Sequence, residues 1–259
     1  MSGHSKWSTI KRAKGVADIK RGQTFTKVAK AITLAAKLGN SGDPNSNPRL
    51  RMILEEAKSV NMPKENINRA IEKGMGAGKE AIEELIYEGF GPGKVAFIVE
   101  AVTDNRLRTN QEIKSIFERN GGTLGGAGSV SYMFDKKGEL KVGGKGGSEE
   151  EEELELIDLG AEDIEGFLEP FDSAQGNKIQ RYLVYVEGSE LNTMSTKCTQ
   201  AGYTVESQLL VMKPNITVEI KDKETAGKVM NFAEKLEDND DVQKVFSNFE
   251  ISEELLVSS

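Results

Sequence analysis

The sequence predicts an α+β protein: an N-terminal three-helix bundle followed by two ferredoxin-like α+β domains, one inserted in the other. Two observations carry this. Up to about residue 74 apolar residues recur at three- and four-residue spacings, the mark of amphipathic helices, and beyond residue 80 the period changes to that of short strands alternating with helices. The element order there reads βαβ…βαβ, with a complete βαββαβ unit in the gap. The length, 259 residues, leaves room for two domains or three small ones.

The first helix is read over 24–38, where Phe25, Val28, Ala29, Ile32, Ala35 and Ala36 form one stripe and Lys27, Lys30 and Lys37 cluster opposite. Leu34 and Leu38 fall outside the stripe and are expected to touch another element. Gly39 and Gly42 stop the helix. Asn47 caps a second one, with Pro48 at its first position, where a missing N–H costs nothing. Leu50, Ile53, Leu54 and Ala57 make its core face. Ile67, Ala70 and Ile71 line a third helix ending at Gly74, and 74–80 reads as a linker.

Strands are read at 95–103, 129–134, 215–220 and 242–249, with helices at 108–120 and 223–237. The inserted unit is read as strands 138–143, 163–169, 180–187 and 205–212 with helices 149–160 and 190–201. Domain boundaries follow at 1–80, 81–135 plus 213–251, and 136–212. A single α+β domain with a longer sheet is the competing reading. The nested topology requires 215–220 to pair in the sheet of 95–103 and 242–249, not beside 180–187. Cys198, in step with Leu191, Met194 and Ala201, is expected in a core. The run Glu149–Glu153 reads as a solvated helix N-terminus, which the helix dipole favours.

Composition narrows the chemistry. One cysteine and one histidine, His4, exclude an intrachain disulfide, a multi-Cys zinc site and most His-centred catalysis. The expectation is no cofactor, no metal and no enzymatic activity. No window approaches the ~18 apolar residues of a membrane span, and no signal-peptide core follows Met1. A reduced, cytoplasmic, monomeric protein without a membrane partner is expected. The net charge of −8 is unevenly distributed: residues 1–80 carry 16 basic and 7 acidic residues, 81–145 balance, and 146–259 carry 9 and 26. A basic third on an acidic body points to a polyanionic partner. The bland alternative is that the basic part docks on acidic surface of the same or another copy.

The densest signal is at the N-terminus, where Lys6, Lys11, Arg12 and Lys14 surround His4 and Trp7. Cations neutralise phosphates and release counterions, and Trp7 can stack on a base; a basic tail with Trp7 packed on the bundle is the alternative. Lys20, Arg21, the Lys27, Lys30 and Lys37 face, Arg49 and Arg51 complete the candidate nucleic-acid set. A second candidate is Asp104, Asn105, Arg106 and Arg108, where a strand meets a helix N-terminus and two arginines flank its free N–H groups; a simple cap and turn competes. The strings GMGAGK (74–79) and GFGPGK (89–94) lack phosphate-loop spacing, and their glycines are read as permitting hinge angles. GGTLGGAG (121–128) is read as a helix cap and loop, or as a mobile loop that approaches a partner.

Several of these stretches together resemble one family. Gly3-His4-Ser5-Lys6-Trp7, Asn47-Pro48-Arg49-Leu50-Arg51, Asn61-Met62-Pro63, Tyr87 to Gly93, Thr103-Asp104-Asn105-Arg106 and Ser129 to Phe134 occur in order, as in the YebC/PmpR family. The resemblance runs from residue 3 to about 250, and its start at residue 3 implies that no transit segment is removed. It implies a three-domain crescent, a helical bundle and two α+β domains, without enzymatic activity. Members are described as DNA-binding transcriptional regulators; related bacterial and mitochondrial proteins are described as ribosome-associated translation factors acting at proline-rich stretches. The expected partner is therefore DNA or ribosomal RNA through the basic N-terminal domain, with ribosomal proteins as further contacts.

Overall fold

The structure, a computed structural model, describes residues 17–76, 82–170 and 178–251. These divide into two compact units, residues 134–215 and the chain on either side of them. Among the described residues no helix is long and apolar enough to cross a membrane.

The flanking unit begins with α1 (Ala17–Leu38), α2 (Pro48–Ser59) and α3 (Lys64–Met75). Asn47 does more than cap α2. Its side-chain oxygen accepts from Leu50 N at 3.1 Å, while its amide donates to Ala35 O at 2.9 Å and Ser41 O at 3.1 Å, tying α2 to the end of α1. Val28, Ile32, Ala35, Leu50, Ala57, Met62 and Ala70 form the helical core. Gly74 is required by closeness: a Cβ there would lie 2.4 Å from the Thr33 carbonyl. Leu34, off the stripe, is buried with Ile82 and Val102, whereas Leu38 is exposed.

The helices do not form a unit of their own. They share one with an antiparallel sheet in the order β3-β1-β2-β9, made of β1 (Glu83–Phe90), β2 (Ala96–Thr103), β3 (Thr123–Leu124) and β9 (Val242–Ser247). Strand β1, which the sequence reading left unassigned, lies between β2 and β3. Its three glutamates depress strand propensity, and both its faces carry apolar and acidic residues, so alternation is weak. The core joins the sheet to α4 (Arg106–Arg119) and α7 (Lys223–Glu237). There Phe232 meets Phe97 and Phe117 edge-on at 4.9 and 5.0 Å between ring centroids.

Three sequence expectations are corrected. Strand β8 (Val218–Ile220) does not enter the β2–β9 sheet: it pairs in parallel with β10 (Phe249–Ile251) as a separate two-stranded ribbon, though it avoids the 180–187 strand as expected. Buried Asn248 is the cause. Its side chain accepts from Ala96 N and donates to Ile216 O, ending β9 and redirecting the chain to β8. Residues 129–134 are not a strand: a single 3₁₀ turn (Ser131–Met133) precedes β4 (Phe134–Gly143). Gly89 and Gly91 are not hinges. A Cβ at Gly89 would strike Thr123 O and the Phe117 ring, and one at Gly91 the Phe97 ring; of the three glycines Gly93 alone uses a left-handed φ, of 68°, followed by Lys94 at 60°. GGTLGGAG follows the cap-and-loop reading: Gly122 N donates to Phe117 O at the end of α4, β3 pairs with Gly89 and Phe90, and Gly125 N donates to Glu88 O.

The second unit holds β4, α5 (Glu149–Asp158), β5 (Asp163–Pro170), β6 (Lys178–Glu187), α6 (Leu191–Gln200) and β7 (Thr204–Pro214). The sheet order β5-β6-β4-β7, wholly antiparallel, is the ferredoxin-like arrangement. The acidic run is not all solvated. Glu152 is buried, its carboxylate accepting from Lys145 N and Gly147 N and so closing the glycine-rich turn before α5.

Cys198 lies fully buried among Leu140, Leu156, Leu191 and Met194, and burial pushes its thiol up from the ordinary range. A bulky thiol reagent is therefore expected to label the native protein far more slowly than the urea-unfolded chain. Equal rates would place Cys198 outside the core.

Candidate nucleic-acid interface

Among the candidate cations, His4, Lys6, Trp7, Lys11, Arg12 and Lys14 lie outside the described residues. Lys20 and Arg21 sit on the first turns of α1, with side chains outside the described part. The other three lysines of α1 do not form the open phosphate-contacting face that their helical spacing suggested. The Lys27 ammonium donates to Glu237 O, Lys30 to Asp240 O at 3.0 Å and Asp241 Oδ1 at 2.6 Å, and Lys37 to Ile82 O at 3.1 Å. Gln23 adds a contact to Asp238 O. The physical reason is the end of α7: Glu237, Asp238, Asp240 and Asp241 cluster where a helix C-terminus presents bare carbonyls, and cations are favoured there. Burial lowers the Lys27 pKa, while the Glu237, Asp238 and Asp240 charges oppose the shift.

Asp241 is the centre of this contact. Its buried carboxylate takes Lys30 on Oδ1, and on Oδ2 it takes Arg108 at 2.9 Å and the Thr109 hydroxyl at 2.7 Å. Burial alone would raise its pKa; hydrogen bonds from Lys30, Thr109 and Arg108, with the charge of Lys30, outweigh that and hold it at about 2.

The same carboxylate decides the second candidate. Asn105 caps α4 through Arg108 N, so the cap-and-turn alternative holds for this position. Arg108, however, is committed to Asp241 and, at 3.1 Å, to Asp104. Arg106 faces Glu83 at 3.6 Å and is largely exposed. The structure thus turns the two arginines to different carboxylates instead of onto one shared anion site.

Arg49 pairs with Glu84 at 2.9 Å on an exposed surface, a contact of small energy. Arg51 clasps the loop before α2 through Pro44 O and Asn45 O and remains exposed. The sequence reading overlooked Asn66, Arg69 and Lys73. They lie on one side of α3, at i, i+3 and i+7, and line a cleft with Lys30. That spacing was visible in the sequence; what hid it was the mixed charge of α3, where Lys64, Arg69 and Lys73 are interleaved with Glu65 and Glu72.

Comparison with known proteins divides the chain at the end of the helices instead. The family model described as the TACO1/YebC protein N-terminal domain matches residues 5–77, and that described as the TACO1/YebC second and third domain matches 82–249. A relative from Persephonella marina, named "Probable transcriptional regulatory protein", is 46% identical over 257 residues, 99% of this chain and 98% of its own. One from Fusobacterium nucleatum with the same description is 46% identical over 260 residues, with the same coverage. Among solved structures, a conserved hypothetical protein from Aquifex aeolicus superposes with a TM-score of 0.78 at 42% identity, over 92% of this chain and 94% of that one. With both family models matched in order across nearly its whole length, the chain belongs to the TACO1/YebC family.

Proposed function

We propose that the protein is a non-enzymatic regulator of gene expression that acts by binding nucleic acid, as a DNA-binding transcriptional regulator. The carrying observation is full-length similarity to relatives named as probable transcriptional regulatory proteins. The excess of nine positive charges in residues 1–80 supplies the physical means. Because Lys27, Lys30 and Lys37 are already engaged within the unit, the binding load falls on the N-terminal cluster around Trp7 and on Arg49 and Arg51, whose own contacts lie on exposed surface and can be exchanged for phosphate. The alternative is a ribosome-associated factor that binds rRNA and relieves stalling at proline-rich stretches. It is favoured by the 26 acidic residues of 146–259, which repel a long duplex lying across the whole molecule.

The test is a salt titration of full-chain binding to duplex DNA and to rRNA fragments. About five phosphate contacts give a log–log slope of about −4.5 on duplex or about −3.5 on single strands. Replacing Lys6, Lys11, Arg12 and Lys14 together by Gln is expected to flatten the slope. Trp7→Ala is expected to cost about 1–3 kcal/mol with little change of slope. Tighter binding to rRNA than to any duplex selects the ribosomal alternative; absence of salt-dependent binding to either overturns both.

A further inference from the structure

We propose that the cleft between α1 and α3 is a binding site for a nucleoside phosphate, either free or as one unit of a single strand. This goes further than the nucleic-acid reading above and rests on it only for the second source. The cavity has a volume of about 370 Å³, near the lower end of small-molecule sites. Its two kinds of lining suit the two ends of such a ligand. Phe25, Met62 and Ile82 supply apolar surface on which a base can lie. Arg69 and Lys73 stand one turn apart on α3 and supply positive charge for a phosphate.

Donor accounting sharpens the assignment. The hydroxyls of Thr26 and Thr33 already donate, to Gly22 O and to the carbonyls of Ala29 and Ala70. Lys30 is held by Asp240 and Asp241. Among the described residues the one lining carboxylate, Asp104, is paired with Arg108. Among the described residues, the Arg69 guanidinium and the Asn66 side-chain amide make no hydrogen bond or ion pair. They are the groups left to recognise a ligand: Arg69 by a forked bond to phosphate oxygens, Asn66 by a paired donor and acceptor on a base edge. An anion without a planar apolar part would leave the Phe25 and Met62 side uncovered, and an apolar ligand without charge would leave Arg69 unused.

The experiment titrates the full chain with AMP, adenosine, inorganic phosphate and a labelled short single-stranded oligonucleotide, using wild type, Arg69→Ala, Arg69→Lys and Asn66→Ala. Arg69 is exposed, so its replacement is expected to leave the melting temperature unchanged. AMP is expected to bind more tightly than adenosine or phosphate, and Arg69→Ala to weaken it about tenfold or more, with partial retention in Arg69→Lys. If the oligonucleotide weakens in parallel, the ligand is a unit of a strand. If AMP binds through Arg69 but no oligonucleotide does, the cleft takes a free nucleotide, and the single-strand form of the reading above falls. Oligonucleotide binding that is indifferent to Arg69 and Asn66, with no AMP binding, overturns the cleft and leaves the reading above intact. Phosphate binding as tightly as AMP overturns it too, because the base then contributes nothing. Absence of binding by every probe overturns the cleft proposal.

Discussion

Replacing Asp241 by Ala is expected to destabilise the flanking unit by about 3–5 kcal/mol in urea unfolding. The side chain is 3% exposed and holds Lys30 of α1 and Arg108 of α4 at once, so its removal strands two cations and the Thr109 hydroxyl beside a partly dry site. Asp241→Asn keeps the shape but loses the charge, and falls between the two. The effect has a definite pH sign. The folded carboxyl sits at about 2, below its ordinary 3.8, so its contribution is fully present above about pH 4 and is lost as the pH falls toward 2. At about 1.4 kcal/mol per pH unit the difference is worth about 2.5 kcal/mol. Wild type should therefore lose stability across that interval more steeply than Asp241→Asn. A variant within 1 kcal/mol of wild type at pH 7 would mean that the helices are held to the sheet by apolar packing alone. The same geometry governs any charge reversal on α1: with Lys27, Lys30 and Lys37 changed together to Glu, the first two would set new carboxylates against Glu237, Asp240 and Asp241 and the third would face the Ile82 carbonyl, unseating the helix, so that variant reads folding before it reads binding.

Glu88→Ala is expected to cost about 2–4 kcal/mol and to loosen residues 125–133. The Glu88 carboxylate, 7% exposed, accepts from Gly128 N, Val130 N and Ser131 N, each at 2.9 Å. Three donors lose their acceptor at once, and Val130 N is buried beyond the reach of water. Burial by itself pushes the Glu88 pKa up, but these backbone donors overcome it and hold it below the usual range, so this contribution too is present at neutral pH and fades in acid. Amide hydrogen exchange is the direct readout. Protection at Val130 and Ser131 should collapse in Glu88→Ala and survive in part in Glu88→Gln, which keeps one acceptor oxygen. Unchanged protection would show that β1 and β3 fix the loop without the carboxylate.

What the sequence by itself determined was whatever its residues dictate to near neighbours. The stripe from Phe25 to Ala36, the Asn47-Pro48 start of α2, the Asn105 cap of α4 and the burial of Cys198 with Leu191 and Met194 all follow from spacings within one helix. The βαββαβ order of the second unit was legible because each of its strands and helices carries its own local pattern, and the sheet order β5-β6-β4-β7 goes with that element order. The tertiary structure alone decided the destinations of charged side chains. A lysine on the polar face of α1 reads the same whether it faces water, a phosphate or the end of α7, which lies about 210 residues further along the chain. Tertiary structure also made β1 a strand despite its glutamates, because one of them, Glu88, is satisfied by backbone N–H groups some 40 residues away. And it turned residues 129–133 out of the extended state that their β-branched and aromatic side chains favour. Local periodicity reports which face of an element is apolar; it carries no information about which distant carboxylate or carbonyl meets the polar one, and in this protein that meeting ties Lys27, Lys30 and Lys37 to residues far along the chain.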